Sequence, residues 1–325
     1  MRVLVTGAGG FLGSHICDLL LEDKIEVINL SRRNHPYLIK KNIPSFFGDI
    51  TDFNICLEAT KNVDAIIHTA SKVGIWGKWE DFYQTNVIGL KNLLDTAKIN
   101  GVKKFIYTST PSVVFAGDDL NNVDESIGHA KTFYNYYSKS KSMAEKILCA
   151  ANDNDLSTVA LRPHLIYGPR DTNLIPRLID RALTKKLTIV GSGQNLVDVT
   201  YVKNAALAHV MALKKLSPDS PLAGSAYFLG QEKPVFLWQF INQILRSKNI
   251  APIKKRIPYC LAYIIGSVSE LTYEILRIYD REPLMTRFLA MQLAKSHYFN
   301  HHNSINHIGN YLKYSLDDSL NSMEE

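Results

Sequence analysis

Cysteine is scarce in this chain. Only Cys17, Cys56, Cys149 and Cys260 occur, and none forms a C-x-x-C pair. That scatter excludes a disulfide framework and a cysteine-based zinc site, and it fits the reduced thiols of a cytoplasmic protein. Dense basic blocks are also missing. The formal charge of +6 comes from 37 basic and 31 acidic residues spread along the sequence, so nucleic acid is not an expected partner. Long hydrophobic runs are absent too. The apolar stretch from Ile257 reaches only Ser269 before Glu270 interrupts it, too short to span a bilayer. Met1-Arg2-Val3 leads straight into a strand pattern, so no signal peptide is expected. What remains is a chain of 325 residues, 46% hydrophobic and 21% charged, able to bury the core of one large or two ordinary domains.

The chain is organised around Tyr137-Ser138-Lys139-Ser140-Lys141. Residues four apart share one helix face, so Tyr137 and Lys141 face the same way, one turn apart. An ammonium beside a phenol stabilises the phenolate and is expected to pull the Tyr137 pKa toward the working range, which suits general acid–base chemistry. Tyr-x-x-x-Lys alone is a weak pattern, better read as an amphipathic helix with solvated lysines. The upstream sequence decides between the two.

Arg2-Val3-Leu4-Val5-Thr6 reads as a buried strand, followed by Gly7-Ala8-Gly9-Gly10-Phe11-Leu12-Gly13 and an apolar helix through Leu21. Strand, glycine turn and helix in this order form a dinucleotide site, with the pyrophosphate on the helix N-terminus. The spacing is GxxGxxG rather than GxGxxG. Strand two ends in Ser31-Arg32-Arg33, where an NAD site usually places a carboxylate for the ribose hydroxyls. Two guanidiniums suit a 2′-phosphate, so NADP(H) is preferred and NAD(H) is the alternative. Asp49, beside Ile50 after strand three, is placed to meet the adenine amine. Strand four runs to His68-Thr69-Ala70, with His68 a packed residue rather than a catalyst. Trp76, in the Val73–Trp79 loop beyond it, is a candidate pocket wall or a packing aromatic. Strand five runs into Thr108-Ser109-Thr110, a hydroxyl-bearing end beside the Tyr137 helix, and strand six ends at Pro163 at the cofactor crevice.

Taken together, Gly7/Gly10/Gly13, Asp49, His68-Thr69-Ala70, Asn86-Val87, Tyr107–Thr110, Tyr137-x-x-x-Lys141-x-x-Ala144-Glu145, Leu161-Arg162-Pro163-x-x-x-Tyr167-Gly168-Pro169 and Tyr201-Val202-x-Asn204 resemble an extended short-chain dehydrogenase/reductase over roughly the first 210 residues. The resemblance implies an α/β fold: a doubly wound, seven-stranded parallel Rossmann sheet with a smaller, mostly helical substrate lobe. Residues 1–165, with 195–222 returning, would form the dinucleotide-binding domain, and 166–194 with 223–325 the lobe. It also implies that Tyr137 exchanges the proton and Thr110 orients the substrate oxygen. Lys141 would hold the nicotinamide ribose and acidify Tyr137. The cofactor would be bound by Gly7, Gly10, Phe11, Leu12, Gly13, Ser31, Arg32, Arg33, Asp49, Ile50, Thr69, Ala70, Tyr137, Lys141 and Pro163.

Pro111-Ser112 stands where the sugar-nucleotide dehydratases carry an acidic pair, which argues against elimination chemistry. The Val-Gly-Ile-Trp-Gly loop and Tyr107–Val113 are similar to the 3β-hydroxysteroid dehydrogenase-like branch. The segments Ile257–Gly266 and Pro283–Leu289 look most like the bacterial 2-alkyl-3-oxoalkanoate reductases of long-chain olefin synthesis. This implies reduction of a long-chain β-keto acid, within lipid metabolism. The implied partners are a condensing thiolase-like enzyme and a ligase-like enzyme, and the implied assembly is a homodimer. Oxidation of a sterol 3β-hydroxyl is the near alternative, and a non-catalytic NADP-sensing protein the remote one. His164, following Arg162-Pro163 where a small residue is common, is a candidate to reach the pocket. Lys203 is expected on a surface turn.

In the C-terminal third, Ile257–Ile278 is apolar and aromatic with Lys254-Lys255-Arg256 ahead of it. Three readings stay open there: walls of a lipid-sized pocket, a packing or dimer face, or peripheral contact with a membrane. Arg287 is the candidate grip for a substrate carboxylate. His297, His301, His302 and His307 read as a polar surface loop, with no metal expected.

Overall fold

The computed structural model describes residues 1–322. Along the nucleotide-binding body run β1 (Arg2–Thr6), α1 (Phe11–Glu22), β2 (Glu26–Ser31), α2 (Pro36–Lys40), β3 (Ser45–Phe47), α3 (Phe53–Ala59) and β4 (Ala65–His68). Next come α4 (Trp79–Tyr83), α5 (Gly89–Ile99), β5 (Lys104–Thr108), β6 (Leu120–Val123), α6 (Tyr136–Ala150) and β7 (Ser157–Pro163). The remainder comprises β8 (Ile166–Tyr167), α7 (Leu174–Leu183), β9 (Ile189–Val190), β10 (Leu196–Val197), β11 (Thr200–Tyr201), α8 (Val202–Lys215) and β12 (Ser225–Leu229). The chain ends with β13 (Val235–Phe236), α9 (Leu237–Ser247), β14 (Arg256–Ile257), α10 (Tyr259–Ile275), α11 (Arg287–Ala294), β15 (His297–Phe299), α12 (His302–Ile308) and α13 (Leu316–Asn321).

Seven strands form one sheet in the order β12-β7-β5-β4-β1-β2-β3, with every pairing parallel. Helices cover both faces, which is why the central strands read as unbroken apolar runs instead of alternating ones. One face packs Val3, Val5, Ile67 and Ile106 against α1 and α8. The other packs Leu4, Ile66, Phe105 and Ala160 against α3, α5 and α6. Strand order reverses beside β1, between β2 and β4, and the carboxyl ends there form the crevice in which such sheets bind ligands.

Two features differ from expectation. The seventh strand, β12, lies beyond residue 222, so Ser225–Leu229 belongs to the large sheet rather than to the lobe. Conversely, β6 leaves the nucleotide-binding stretch and completes a second sheet, β13-β10-β15-β6. That second sheet also buries part of the histidine-rich segment. His297 pairs with Leu120 and Val197 and is 2% exposed, and the His301 ring accepts or donates at Asp198 Oδ2 over 2.9 Å. The surface-loop expectation therefore fails for His297 and His301, because strand partners far away in sequence enclose them. Among the described residues no group of three or more His, Cys, Asp or Glu could hold a metal ion. No described helix is long and apolar enough to cross a membrane. Lys203 lies in the first turn of α8, with its ammonium 5.2 Å from the Tyr314 ring centre.

Candidate active site

The turn between β1 and α1 is built for close backbone approach. Gly7 has φ +74°, a left-handed conformation that favours glycine. A Cβ there would come within 2.6 Å of Thr69 Oγ1 and 2.9 Å of the Ala70 nitrogen. A Cβ on Gly13 would overlap the Gly7 carbonyl, so helix and turn pack backbone to backbone. The α1 N-cap is Gly10, which makes no side-chain cap. The first N–H groups of the helix thus point from a turn whose shape suits a pyrophosphate. Leu12 is buried below it, and Thr69 Oγ1 donates to Thr6 O at 2.8 Å, tying the β1 and β4 ends together. The residues present fit a dinucleotide.

At the end of β2, Ser31 Oγ donates to Arg33 O at 2.9 Å and shapes the turn that carries both arginines. Arg32 and Arg33 are exposed, and Arg32 reaches Asp49 at 3.6 Å. Asp49 also accepts from the Thr51 nitrogen and hydroxyl, each at 3.0 Å, which fixes the loop beyond β3. Ile50 is buried behind it against Gly89. Pro163 ends β7 opposite Leu229.

Tyr137 and Lys141 lie in the first turns of α6, whose N-cap Asn135 accepts from the Ser138 nitrogen at 2.7 Å. Thr110 caps the short turn Pro111–Val113, its hydroxyl accepting from Ser112 N and donating to Ser112 Oγ, each at 3.2 Å, and it lies near enough to the Tyr137 phenol to act on it, so two of the three expected catalytic side chains are brought together. Their electrostatics differ from expectation. Burial pushes the Tyr137 phenol up to about 12, and the Thr110 hydrogen bond only partly opposes it. Lys141 points elsewhere: Nζ donates to Thr108 O at 2.6 Å and lies 4.0 Å from the Tyr107 ring centre. Desolvation brings its ammonium down to about 7, against the pull of Glu145. For Tyr137 the cost of removing charge from water is the leading cause, and Lys141 is held on Thr108 O and the Tyr107 ring.

Asn86, Glu145 and Arg162, all within the sequence motifs, support these side chains together with His129, which no motif contained. Asn86 sits in a π-helical turn, Gln84–Ile88, of a type frequent at functional sites. Its Oδ1 accepts from Ser71 Oγ at 2.9 Å and Lys72 N at 2.8 Å, and its Nδ2 donates to Lys72 O at 3.0 Å and Ser140 Oγ at 2.9 Å. It thereby joins the loop after β4 to the catalytic helix. Glu145, one turn beyond Lys141, accepts from Arg162 Nε at 3.1 Å and Nη2 at 2.5 Å, and meets His129 Nε2 at 2.7 Å. His129 Nδ1 meets Ser142 Oγ at 2.7 Å. Those bonds hold the Glu145 carboxyl down at about 2 despite burial and pin α6 to β7. His68, as expected, is packed: it contacts Thr6 Oγ1 at 2.6 Å and stacks on Tyr107, and burial lowers its pKa to about 3.

A cleft of about 530 Å³ opens beside Asn135 and Tyr136, immediately ahead of Tyr137, with Ile75, Trp76, Phe82, Tyr134 and Leu271 in its walls. Trp76 lines this cleft and also packs on the lobe, donating Nε1–H to Ile278 O at 2.8 Å and stacking near Tyr279. Arg287 lines it too, but its Nε and backbone nitrogen both donate to Glu270, each at 2.6 Å. His164 does not line the cleft. Its Nε2 meets His297 Nδ1 at 2.6 Å in the buried second sheet, and burial beside that ring lowers its pKa.

Comparisons with known proteins agree with this geometry. The pattern of the 3-beta hydroxysteroid dehydrogenase/isomerase family matches residues 4–259. A 2-alkyl-3-oxoalkanoate reductase of Shewanella oneidensis is 41% identical over 92% of this chain and 79% of its own. A decarboxylating sterol-4-alpha-carboxylate 3-dehydrogenase of Mus musculus is 33% identical over 92% of this chain and 83% of its own. In fold, the crystal structure of gox2253 superposes with TM-score 0.80 at 24% identity, covering 99% of this chain and 96% of that one. The chain belongs to the 3-beta hydroxysteroid dehydrogenase/isomerase family, within the NAD(P)-dependent oxidoreductases of the extended short-chain dehydrogenase type.

Proposed function

We propose that this chain is an NADPH-dependent ketone reductase acting on a long-chain lipid, converting a 2-alkyl-3-oxoalkanoate to the 3-hydroxy acid. The observation that carries the reading is adjacency: Tyr137, with Thr110 beside it, directly follows Asn135 and Tyr136 in the wall of a cleft that joins aromatic and apolar side chains to a few charged ones. The relative from Shewanella oneidensis supports the substrate class. Arg32 and Arg33 at the β2 end support NADPH.

A nicotinamide dinucleotide held through its pyrophosphate by the Gly7–Gly13 turn would supply the hydride. Thr110 donates a hydrogen bond to the ketone oxygen and holds it against Tyr137. Tyr137, protonated across the neutral range at a pKa of about 12, gives its proton to that oxygen as charge develops. Lys141, anchored on Thr108 O, is positioned for the ribose hydroxyls and for recharging Tyr137. Trp76 walls the acyl chain. Arg287, held by Glu270 in the cleft wall, is the residue proposed to grip a substrate carboxylate. The assembly proposed is a homodimer working beside the enzymes that condense the acyl chains and consume the hydroxy acid.

The test is cofactor consumption with a 2-alkyl-3-oxo long-chain acid, a 3-ketosteroid and a nucleotide-sugar ketone. Turnover of the first alone is expected, faster with NADPH than NADH. Preference for the steroid would replace this reading with the sterol dehydrogenase. Tyr137→Phe should keep cofactor binding and lose about 10²–10⁴-fold in turnover; unchanged turnover would sink the mechanism.

A further inference from the structure

Helix α10 turns its greasy side outward. Ala262, Gly266 and Glu270, spaced four apart, form its buried stripe. Gly266 lies so close to α11 that a Cβ would come within 2.6 Å of the Thr286 backbone. The opposite face carries Leu261, Ile264, Ile265, Val268, Leu271 and Ile275, which are 42–70% exposed. A soluble surface helix normally has the reverse pattern. Leu276 extends the stripe, at 62% exposed. These side chains run the length of a 17-residue helix, about 25 Å at 1.5 Å per residue. A contiguous apolar face of that size marks an interaction site.

Its chemistry selects the occupant. Exposed Glu274 stands at the edge of this face, its Oε1 accepting from the Tyr279 hydroxyl at 2.9 Å, and no other described side chain of the face is charged. The polar Thr272 is already spent, its hydroxyl donating to Val268 O at 2.8 Å. A protein partner would ordinarily contribute about one hydrogen bond per 100–200 Å² of interface, and the middle of this face offers it nothing to bond. A bilayer asks for none. The N-terminal end of the stripe carries the other half of a lipid signature. Exposed Lys254, Lys255 and Arg256 precede α10, whereas at its other end exposed Arg277 and Arg281 are balanced by Glu274 and Asp280, with Arg281 3.8 Å from Asp280. The parallel pairing of Arg256 with Ile189 brings exposed Lys185 and Lys186, just ahead of β9, to the N-terminal end. An apolar face with a dense cationic cluster at its N-terminal end matches the acyl boundary and anionic headgroups of a membrane surface.

We propose that α10 docks in the plane of an anionic lipid surface, with its outward face among the acyl chains and these cations at the headgroups. The same helix supplies Ser267, Glu270, Leu271 and Glu274 to the cleft ahead of Tyr137. Docked in this way, the cleft mouth meets the bilayer, and a long-chain substrate enters sideways from the lipid without crossing water. The route of entry rests on the lipid reading above. The docking is measured without substrate, so the two fail separately.

The experiment is co-sedimentation of the full chain with vesicles of phosphatidylcholine alone and of phosphatidylcholine mixed with phosphatidylglycerol. Wild type should sediment with the mixed vesicles and be released as salt shortens the Debye length from about 10 Å to about 3 Å. Ile264→Gln/Val268→Gln/Ile275→Gln should stay in the supernatant, yet reduce a short soluble ketone at the wild-type rate. Lys254→Gln/Lys255→Gln leaves the apolar stripe intact, and should weaken mixed-vesicle binding about tenfold or more while leaving neutral vesicles unaffected. With substrate embedded in the vesicles, the triple variant should raise KM and spare kcat. Wild type remaining in the supernatant with both vesicles would overturn the proposal. So would a triple variant that turns a dimer into a monomer, which would make this face an interface between copies.

Discussion

The ammonium of Lys141 donates to the carbonyl of Thr108 at 2.6 Å and faces the Tyr107 ring at 4.0 Å. The Tyr107 hydroxyl is itself buried with no partner among the described residues. The cation is held by a carbonyl and an aromatic face, two neutral groups that lower its desolvation cost less than a carboxylate would. Its proton is correspondingly loosely held.

That looseness sets a pH dependence. Tyr137 stays protonated well above neutrality, whereas Lys141 loses its proton as pH rises through about 7. We expect kcat/KM for ketone reduction to be level below that point and to fall above it, since this ratio reports groups of the free protein. Lys141→Met should lower the rate and abolish the break; a break that survives the substitution belongs to another group. The stability sign is also fixed. Between about 7 and the ordinary 10.5, the unfolded chain binds more protons at this lysine than the folded one. Its penalty is therefore full below 7 and relieved as pH rises, which denaturant titrations of wild type and Lys141→Met should separate.

The buried pair Glu145–Arg162 gives a slope of the same sign in a more acidic window, here from a favourable contribution instead of a penalty. A carboxyl held at about 2 against an ordinary 4.5 contributes stability that is fully present above 4.5 and lost as pH falls toward 2. Glu145→Gln leaves the Arg162 charge enclosed and should cost about 3–5 kcal/mol, measured by urea unfolding. Glu145→Met/Arg162→Met should restore most of that loss, because neither charge is then left alone. If the double variant is as unstable as the single, the pair does not behave as a unit.

Gly13→Ala tests the nucleotide turn. The added carbon meets the Gly7 carbonyl and comes within 2.9 Å of the Ala8 Cα, all backbone atoms that no rotamer change can move aside. Cofactor fluorescence titration should show at least about a tenfold loss of affinity, one step of 1.4 kcal/mol. Gly101→Ala is the control for left-handed strain alone, with φ +71° and nothing within 4 Å. It should bind cofactor normally and lose only stability.

Arg32→Ala/Arg33→Ala tests the cofactor preference. Each charge-assisted hydrogen bond to a phosphate is worth about 1.5–3 kcal/mol, so KM for NADPH should rise about tenfold or more. KM for NADH should scarcely change. Equal effects on both cofactors would show that the arginines do not read the 2′-phosphate.

What could be read directly from the residues was local or periodic. The glycine turn is legible because its geometry is set within Gly7–Gly13, and the Tyr137–Lys141 spacing because one helical turn determines it. The rest depends on partners distant in sequence. His297 looked exposed among polar neighbours, yet Leu120 and Val197 flank it in a sheet that no single stretch reveals. His164 lost its way to the cleft for the same reason, since the ring that engages it lies 133 residues away. The rise in the Tyr137 pKa follows from the depth of burial, which a spacing rule does not contain.

The position of β12 bears on how the protein is made. Residues 225–229 close the sheet beside β7, every residue of which is buried, although the catalytic helix and all six other sheet strands precede them by more than sixty residues. A ribosome releasing this chain exposes a finished Tyr137–Lys141 face on a sheet whose β7 edge is still bare. Such an edge recruits other strands. A fragment stopping at residue 222 would therefore carry the reaction's side chains and precipitate through β7, leaving the last strand of the nucleotide fold to act as the molecule's guard against self-association.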